Sequence, residues 1–306
     1  MKNYVWYKAR HNLLRNLGGV KAMNEILEKK QLNPTVKMMV INAPLMAKKA
    51  KPGQFVIVRV DEKGERIPLT IADYDRNKGT ITIIFQEVGM STKKLGTLNV
   101  GDRLHDFVGP LGKPVEFSKD TKRVLAIGGG VGVAPLYPKV KMLNEMKVPV
   151  DSIIGGRSAE YVILEDEMKK VSENLYITTD DGTKGRKGFV TDVLKELIEK
   201  DNKYDEVIAI GPLIMMKMVC NITKEYNIPT MVSMNPIMID GTGMCGGCRV
   251  TVGGETKFAC VDGPAFDGLK VDFDEAMRRQ NMYKDMERKV LENYEHECKL
   301  GGILNG

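Results

Sequence analysis

From Asn33 to about Phe117 the pattern of apolar and polar positions is β. Thr35–Ile41, Gln54–Val60 and Thr80–Val88 are rich in β-branched residues, and Thr80-Ile81-Thr82-Ile83 alternates strictly. Lys51-Pro52-Gly53 and Asn77-Lys78-Gly79 are turn signals between these runs. Ser91 ahead of Thr92-Lys93-Lys94-Leu95 predicts an N-cap and a short helix. Short strands with little helix predict a small antiparallel barrel, with His105 among its residues.

The period changes near Arg123. A strand at 123–127 runs through glycines into a helix at 135–146. Strands at 150–154, 175–179, 206–210 and 230–234 then alternate with helices at 165–172, 189–200 and 213–226. This alternation predicts a parallel, doubly wound sheet. Past Asn235 the chain turns glycine-rich, then charged and helix-prone, with Phe273, Met277, Met282, Met286 and Val290 as an irregular apolar face. The expected organisation is a leader at 1–22, a barrel at 23–118, a nucleotide domain at 119–234, a small loop domain at 235–268 and a helical tail at 269–306. The fold class is thus a β barrel plus α/β.

Composition narrows the functional classes. At 42% hydrophobic and 28% charged the chain is globular, and no apolar run is long enough to span a membrane as a helix. The net charge of +6 invites a nucleic-acid reading, but residues 1–22 hold five basic groups and no acid. The remainder carries 41 basic against 40 acidic residues, so neither nucleic acid nor membrane is an expected partner. The leader lacks the apolar core of a secretory signal. A transit peptide is one reading of it. The preferred expectation is that translation begins at Met23, because Gly18-Gly19-Val20 is encodable by a ribosome-binding-site-like run.

Three of the five cysteines fall within residues 245–260, which points to metal or redox chemistry in a reducing compartment and a cytoplasmic location. Asp240, Cys245 and Cys248, followed by Cys260, reproduce the C-x₄-C-x₂-C spacing of plant-type [2Fe–2S] sites, with aspartate in the first position. Structural zinc in a Cys₃Asp site is the alternative. Gly128-Gly129-Gly130-Val131-Gly132-Val133-Ala134-Pro135 follows a strand and opens a helix. Small residues there let a pyrophosphate approach backbone amides at the helix start, although a tight turn without ligand reads the same way. Arg66-Ile67-Pro68-Leu69-Thr70 and Val88-Gly89-Met90-Ser91-Thr92 could offer a flavin a hydroxyl near its N5 and amides for its phosphates, although taken alone they read as ordinary strand and helix-cap sequence.

Taken in order, these segments and Thr179-Asp180-Asp181-Gly182 and Gly211-Pro212 resemble the ferredoxin–NADP reductase-like flavoproteins. Within them the chain is most similar to the small subunit of NADH-dependent reduced ferredoxin:NADP oxidoreductase and to the electron-transfer subunit of dihydroorotate dehydrogenase. Aspartate first, then Gly241-Thr242-Gly243-Met244, is the pattern of the former. The resemblance implies FAD on Arg66, Pro68, Leu69, Thr70, Gly89, Ser91 and Thr92, with Thr70 at the reacting ring. It implies NAD(P) on Gly129, Gly130, Val131, Gly132, Pro135, Arg157, Asp180, Gly211 and Pro212. It also implies a [2Fe–2S] cluster on Asp240, Cys245, Cys248 and Cys260. The expected activity passes electrons between NAD(H), flavin and cluster, in a heterodimer with a larger flavin and [4Fe–4S] subunit that reaches ferredoxin indirectly. The usual flavin motif is R-x-Y-[ST]; here Ile67 holds the arginine position, Leu69 the aromatic one, and Arg66 lies one residue early. NADH versus NADPH stays open, since Arg157-Ser158 suits a 2′-phosphate and Glu165 or Asp166 a free hydroxyl. Cys220 reads as a core residue, and Cys298 beside His296 as solvated surface.

Overall fold

A computed structural model describes residues 22–200 and 203–304, so the expectations for the leader fall outside it. Six antiparallel strands form the first sheet: β1 (Ile26–Asn33), β2 (Val36–Asn42), β3 (Phe55–Arg59), β4 (Ile67–Asp75), β5 (Thr80–Gln86) and β6 (Asp106–Leu111). Their order is β1-β2-β5-β4-β3-β6. Two short helices, α1 (Pro44–Lys49) and α2 (Met90–Thr97), lie between strands. Backbone bonds from Ile26 N–H to the Asp102 carbonyl and from Leu104 N–H to the Asn24 carbonyl join the open ends, which gives the barrel-like closure. Its core includes Ile26, Met39, Ile41, Val58, Ile71, Ile83 and Phe85, all buried. β1 escaped the periodicity because Glu28, Lys29 and Lys30 interrupt its apolar positions. Lys29 Nζ compensates by donating to the Gly96 and Leu98 carbonyls at 2.8 and 2.7 Å.

The second sheet begins with β7 (Val124–Gly129), whose residues are all buried. A 3₁₀ turn over Gly130–Gly132 leads into α3 (Val133–Glu145). Then follow β8 (Val150–Gly156), α4 (Glu165–Val171), β9 (Asn174–Thr179), the short β10 (Arg186–Lys187), α5 (Val190–Glu199), β11 (Glu206–Ile210), α6 (Leu213–Glu225) and β12 (Thr230–Ser233). The strands from β7 to β12 pair parallel, in the order β10-β9-β8-β7-β11-β12. The order reverses between β7 and β11, and such a switch point opens a crevice at the carboxyl ends of the strands.

The glycine-rich segment carries a hairpin, β13 (Arg249–Val252) and β14 (Glu255–Phe258), and then β15 (Ala265–Asp267), which pairs antiparallel with β12. The cysteine loop is therefore sewn into the edge of the nucleotide sheet. One hydrophobic core holds Phe55 and Ile57 of the barrel, Ile127 and Ala209 of the sheet, and Cys248, Val250 and Cys260 of the loop. The tail forms α7 (Phe273–Gln280) and α8 (Lys284–Leu304). Phe273 is buried in that common core with Met277 against it, whereas Met282, Met286 and Val290 are exposed. Among the described residues no helix is long and apolar enough to cross a membrane.

Candidate functional site

A cleft of about 1120 Å³ lies between the barrel and the carboxyl edge of the parallel sheet. Its floor is the turn after β7. Gly130 has φ +55°, and a Cβ placed there would meet nothing within 4 Å, so the main chain itself faces the cleft. Gly129, Val131 and Pro135 line it too, and Gly211 and Pro212 enter from the end of β11. Gly132 lines the cleft as well, and its small size also has a packing reason that the sequence did not show. A Cβ there would lie 2.3 Å from the Ile210 carbonyl oxygen, so the glycine lets the turn pack against β11. Pro135 sits in the first turn of α3, where its missing N–H breaks no helical bond.

Pro68, Leu69 and Thr70 face the same cleft from β4, with Phe55 and Thr70 in register across β3 and β4. Thr92 lines it from α2, but Ser91 is not the cap of that helix. Gly89 is the N-cap, and the Thr92 hydroxyl reaches back to accept from the Val88 and Gly89 N–H groups at 3.1 Å each. The Ser91 hydroxyl donates to the Glu65 carboxylate instead. Arg66 also departs from expectation, because it precedes β4, which begins at Ile67, and so its side chain runs toward the cysteine loop. Its Nη2 lies 3.4 Å from the Asp240 carbonyl and its Nη1 3.8 Å from Asp106.

At the far end Arg157 and Asp180 line the cleft and are exposed. Glu165 is held in an ion pair with Lys184. Phe189 was missed by sequence reasoning: it caps α5, is 64% exposed and faces the cleft, so it offers an aromatic surface for stacking. An aromatic residue where helices favour a polar cap was the available signal. Lys139 gave no signal; it is fully buried beneath the turn, donates to the Pro135 carbonyl at 2.9 Å, and burial lowers its pKa to about 7.

The loop donors meet in two pairs. Cys245 Sγ is 3.3 Å from Asp240 Oδ1, and Cys248 Sγ is 3.2 Å from Cys260 Sγ. The first pair is open to solvent at Cys245, and the second is buried. Burial, then the bond to Cys248, pushes the Cys260 thiol up to about 12. Desolvation opposes ionisation of Asp240, yet the Thr242 and Met244 N–H groups, the Cys245 thiol and the Thr242 hydroxyl all donate to it and hold its pKa at about 2. A hard anionic donor thus stands beside the exposed Cys245 thiol, and metal binding at such a set requires its thiols to give up their protons. Among the described residues no three of these side chains are gathered around one point as a single-ion site. Of the remaining candidates, Cys220 is buried and its thiol is pushed up to about 12 by burial, as a core residue should be. His105 belongs to the barrel, exposed just before β6 with its N–H donating to the Arg59 carbonyl, and His296 is exposed on α8, while the side chain of Cys298 lies outside the described set.

Known proteins match this arrangement in the same segments. Residues 126–221 match the oxidoreductase NAD-binding domain, and residues 235–272 match the iron–sulfur cluster binding domain of dihydroorotate dehydrogenase B. An uncharacterised protein of Clostridium beijerinckii is 56% identical, covering 88% of this chain and 93% of its own. A dihydroorotate dehydrogenase B (NAD(+)) electron transfer subunit homolog of Thermotoga maritima is 45% identical over 94% of this chain and 99% of its own. A solved structure of an NADH-dependent reduced ferredoxin-NADP oxidoreductase, described for flavin-based electron bifurcation, is 45% identical. It superposes with a TM-score of 0.85 over 90% of this chain and 99% of the other. A ferredoxin reductase of carbazole 1,9a-dioxygenase, 19% identical with a TM-score of 0.57 over 67% of this chain and 65% of its own, shares the fold. The chain belongs to the ferredoxin reductase-like family of dihydroorotate dehydrogenase B-type electron-transfer subunits, and is an oxidoreductase subunit with an NAD-binding and an iron–sulfur-binding domain.

Proposed function

We propose that the protein moves electrons between NAD(H), FAD and a [2Fe–2S] cluster as the small subunit of an electron-bifurcating ferredoxin:NAD(P) oxidoreductase complex. The observation that carries this reading is the match at 45% identity along 99% of the solved oxidoreductase chain, with one cleft joining barrel and nucleotide sheet. When bound, a flavin links the two-electron hydride chemistry of nicotinamide to one-electron transfer through an iron–sulfur centre.

The chain's own residues bind and orient. Thr70, beside Pro68 and Leu69, would offer its hydroxyl to a bound flavin, and Gly89, Ser91 and Thr92 belong to the α2 start that would receive the flavin phosphates. Gly129, Gly130, Val131 and Pro135 cradle the dinucleotide pyrophosphate, with Gly132 setting the turn behind them. Gly211 and Pro212 would lie toward the nicotinamide of a bound dinucleotide, and Arg157, Asp180 and Phe189 would receive its adenosine end. Asp240 with Cys245, and Cys248 with Cys260, serve as one donor pair for each iron. Two pairs suit a dinuclear cluster, whereas a single zinc requires four donors about one centre.

The partner in this reading is a larger subunit with flavin and [4Fe–4S] centres, through which ferredoxin is reached. Met244 at 88% exposed and Ile239 at 56% flank the open donor pair, where an apolar partner surface would cover them. A second reading, the electron-transfer subunit of dihydroorotate dehydrogenase, is favoured by the similarity to the Thermotoga homolog of that subunit. Co-purification from the native host separates the two. A [4Fe–4S] flavoprotein partner, with flavin and cluster absorption in the complex, is expected. A dihydroorotate-oxidising partner would establish the second reading, and a colourless protein would end both.

A further inference from the structure

We propose that Arg249 and Arg279 are positioning residues for the iron–sulfur loop, gripping two successive carbonyls of the Cys245–Cys248 turn so that the turn's amide faces a ligand sulfur and the cluster's reduction potential is raised. The proposal rests on the iron–sulfur reading and deepens it. Arg249 Nη1 donates to the Gly246 carbonyl at 3.2 Å, and Arg279 Nη2 donates to the Gly247 carbonyl at 3.1 Å. In a trans peptide the C=O and N–H point in opposite directions. Drawing the Gly246 carbonyl outward to Arg249 therefore turns the Gly247 N–H inward, and that nitrogen lies 3.5 Å from Cys245 Sγ. The next peptide is fixed in the same way by Arg279. Gly246 has φ +67°, a conformation that a side chain would strain, which is how the turn reaches this orientation.

The consequence is electrostatic. Hydrogen bonds to cluster sulfurs and nearby positive charge stabilise the more negative, reduced state, and these are among the terms that set such potentials. Arg279 comes from α7, beyond residues 235–272 that match the iron–sulfur domain. That helix is anchored by the buried Phe273, by the Asp272 carboxylate accepting from Glu275 N–H at 2.8 Å, and by a Lys217–Asp274 ion pair of 2.7 Å. The neighbouring Gln280 lines the cleft, so one helix touches both the nucleotide site and the cysteine loop. The tail thereby contributes to the cluster site itself.

The test is an anaerobic, EPR-monitored redox titration of the full-length holoprotein, with iron and flavin analysis and NADH binding measured alongside. Arg279→Met keeps the aliphatic stem and removes charge and donors. It is expected to lower the equilibrium constant for cluster reduction about tenfold, ~59 mV for one electron, with flavin content and NADH affinity unchanged. Arg279→Lys, which keeps the charge but not the fork, is expected to shift less. Loss of iron alone from Arg279→Met, with flavin and NADH binding retained, also supports the clamp. Full iron content with a wild-type potential in Arg279→Met overturns it. If that variant does not fold, Arg249→Met at the exposed start of β13 is judged by the same two outcomes. A wild-type protein without iron would instead refute the iron–sulfur reading, so the two failures are distinguishable.

Discussion

Replacing Gly132 with alanine asks whether the glycine turn is shaped by its ligand or by its own packing. The added Cβ would stand 2.3 Å from the Ile210 carbonyl oxygen, 2.7 Å from the Ile210 carbonyl carbon and 2.8 Å from Gly211 Cα. All three are backbone atoms, so no side chain can swing aside. Relief requires the turn to lift from β11, which is bonded to β7 in register from Val124–Glu206 to Gly128–Ile210. Overpacking costs about 1–3 kcal/mol, and a backbone clash belongs at the upper end, about 3 kcal/mol. At about 2–4 °C per kcal/mol for a protein of this size, the melting midpoint should fall by about 6–12 °C. Gly130→Ala is the control, because its Cβ meets nothing while its φ of +55° costs about 1–2 kcal/mol. That methyl group enters the cleft, so NADH affinity should weaken about tenfold, a loss of about 1.4 kcal/mol. Thermal melts of the holoprotein and NADH titrations read the two effects. A Gly132→Ala variant that melts with the wild type refutes the packing argument.

Thr70→Val should reduce flavin retention and leave NADH affinity near wild type, and equilibrium dialysis of both ligands checks it. Asp240→Cys should keep the cluster with a shifted potential, because thiolate donates more strongly than carboxylate, and Asp240→Ala should make it labile; unchanged spectra and potential in both would remove Asp240 from the ligand set. Burial alone would raise the Asp151 pKa, but bonds from the Tyr204 hydroxyl at 2.7 Å, Asn174 at 2.8 Å and Arg123 at 2.9 Å lower it overall. Its stabilisation is thus complete above the unfolded value near 3.9 and is lost as pH falls through the lower folded value. Asp151→Asn, which weakens hydrogen bonds to a charged group, should cost about 1.5–3 kcal/mol at pH 7 and flatten the acid limb of a stability-against-pH curve. Deleting residues 283–306, whose Met286 and Val290 are exposed, should abolish capture of the native partner while flavin and iron contents persist; capture at wild-type strength would show that the partner binds elsewhere.

The elements that depend on neighbours along the chain were legible in the sequence. The switch from period two to alternating strands and helices near Arg123 located the parallel sheet, since burial on both faces demands runs such as Val124–Ile127. The donor spacing from Asp240 to Cys248 was equally visible, because a loop around a cluster requires ligands at fixed short intervals. Periodicity missed β1, whose Lys29 finds partners on α2 and the following turn rather than in the strand's own alternation. The sequence also assigned Gly132 to ligand approach, while its neighbour in space is Ile210 on another strand. Only the tertiary structure paired Asp240 with Cys245 and Cys248 with Cys260, turned Arg66 toward the loop, and brought Arg279 to the Gly247 carbonyl. The reason is physical. Local patterns record which face of an element is apolar, but a site assembled from the barrel, the nucleotide sheet and the tail exists only once their shared core has packed them together.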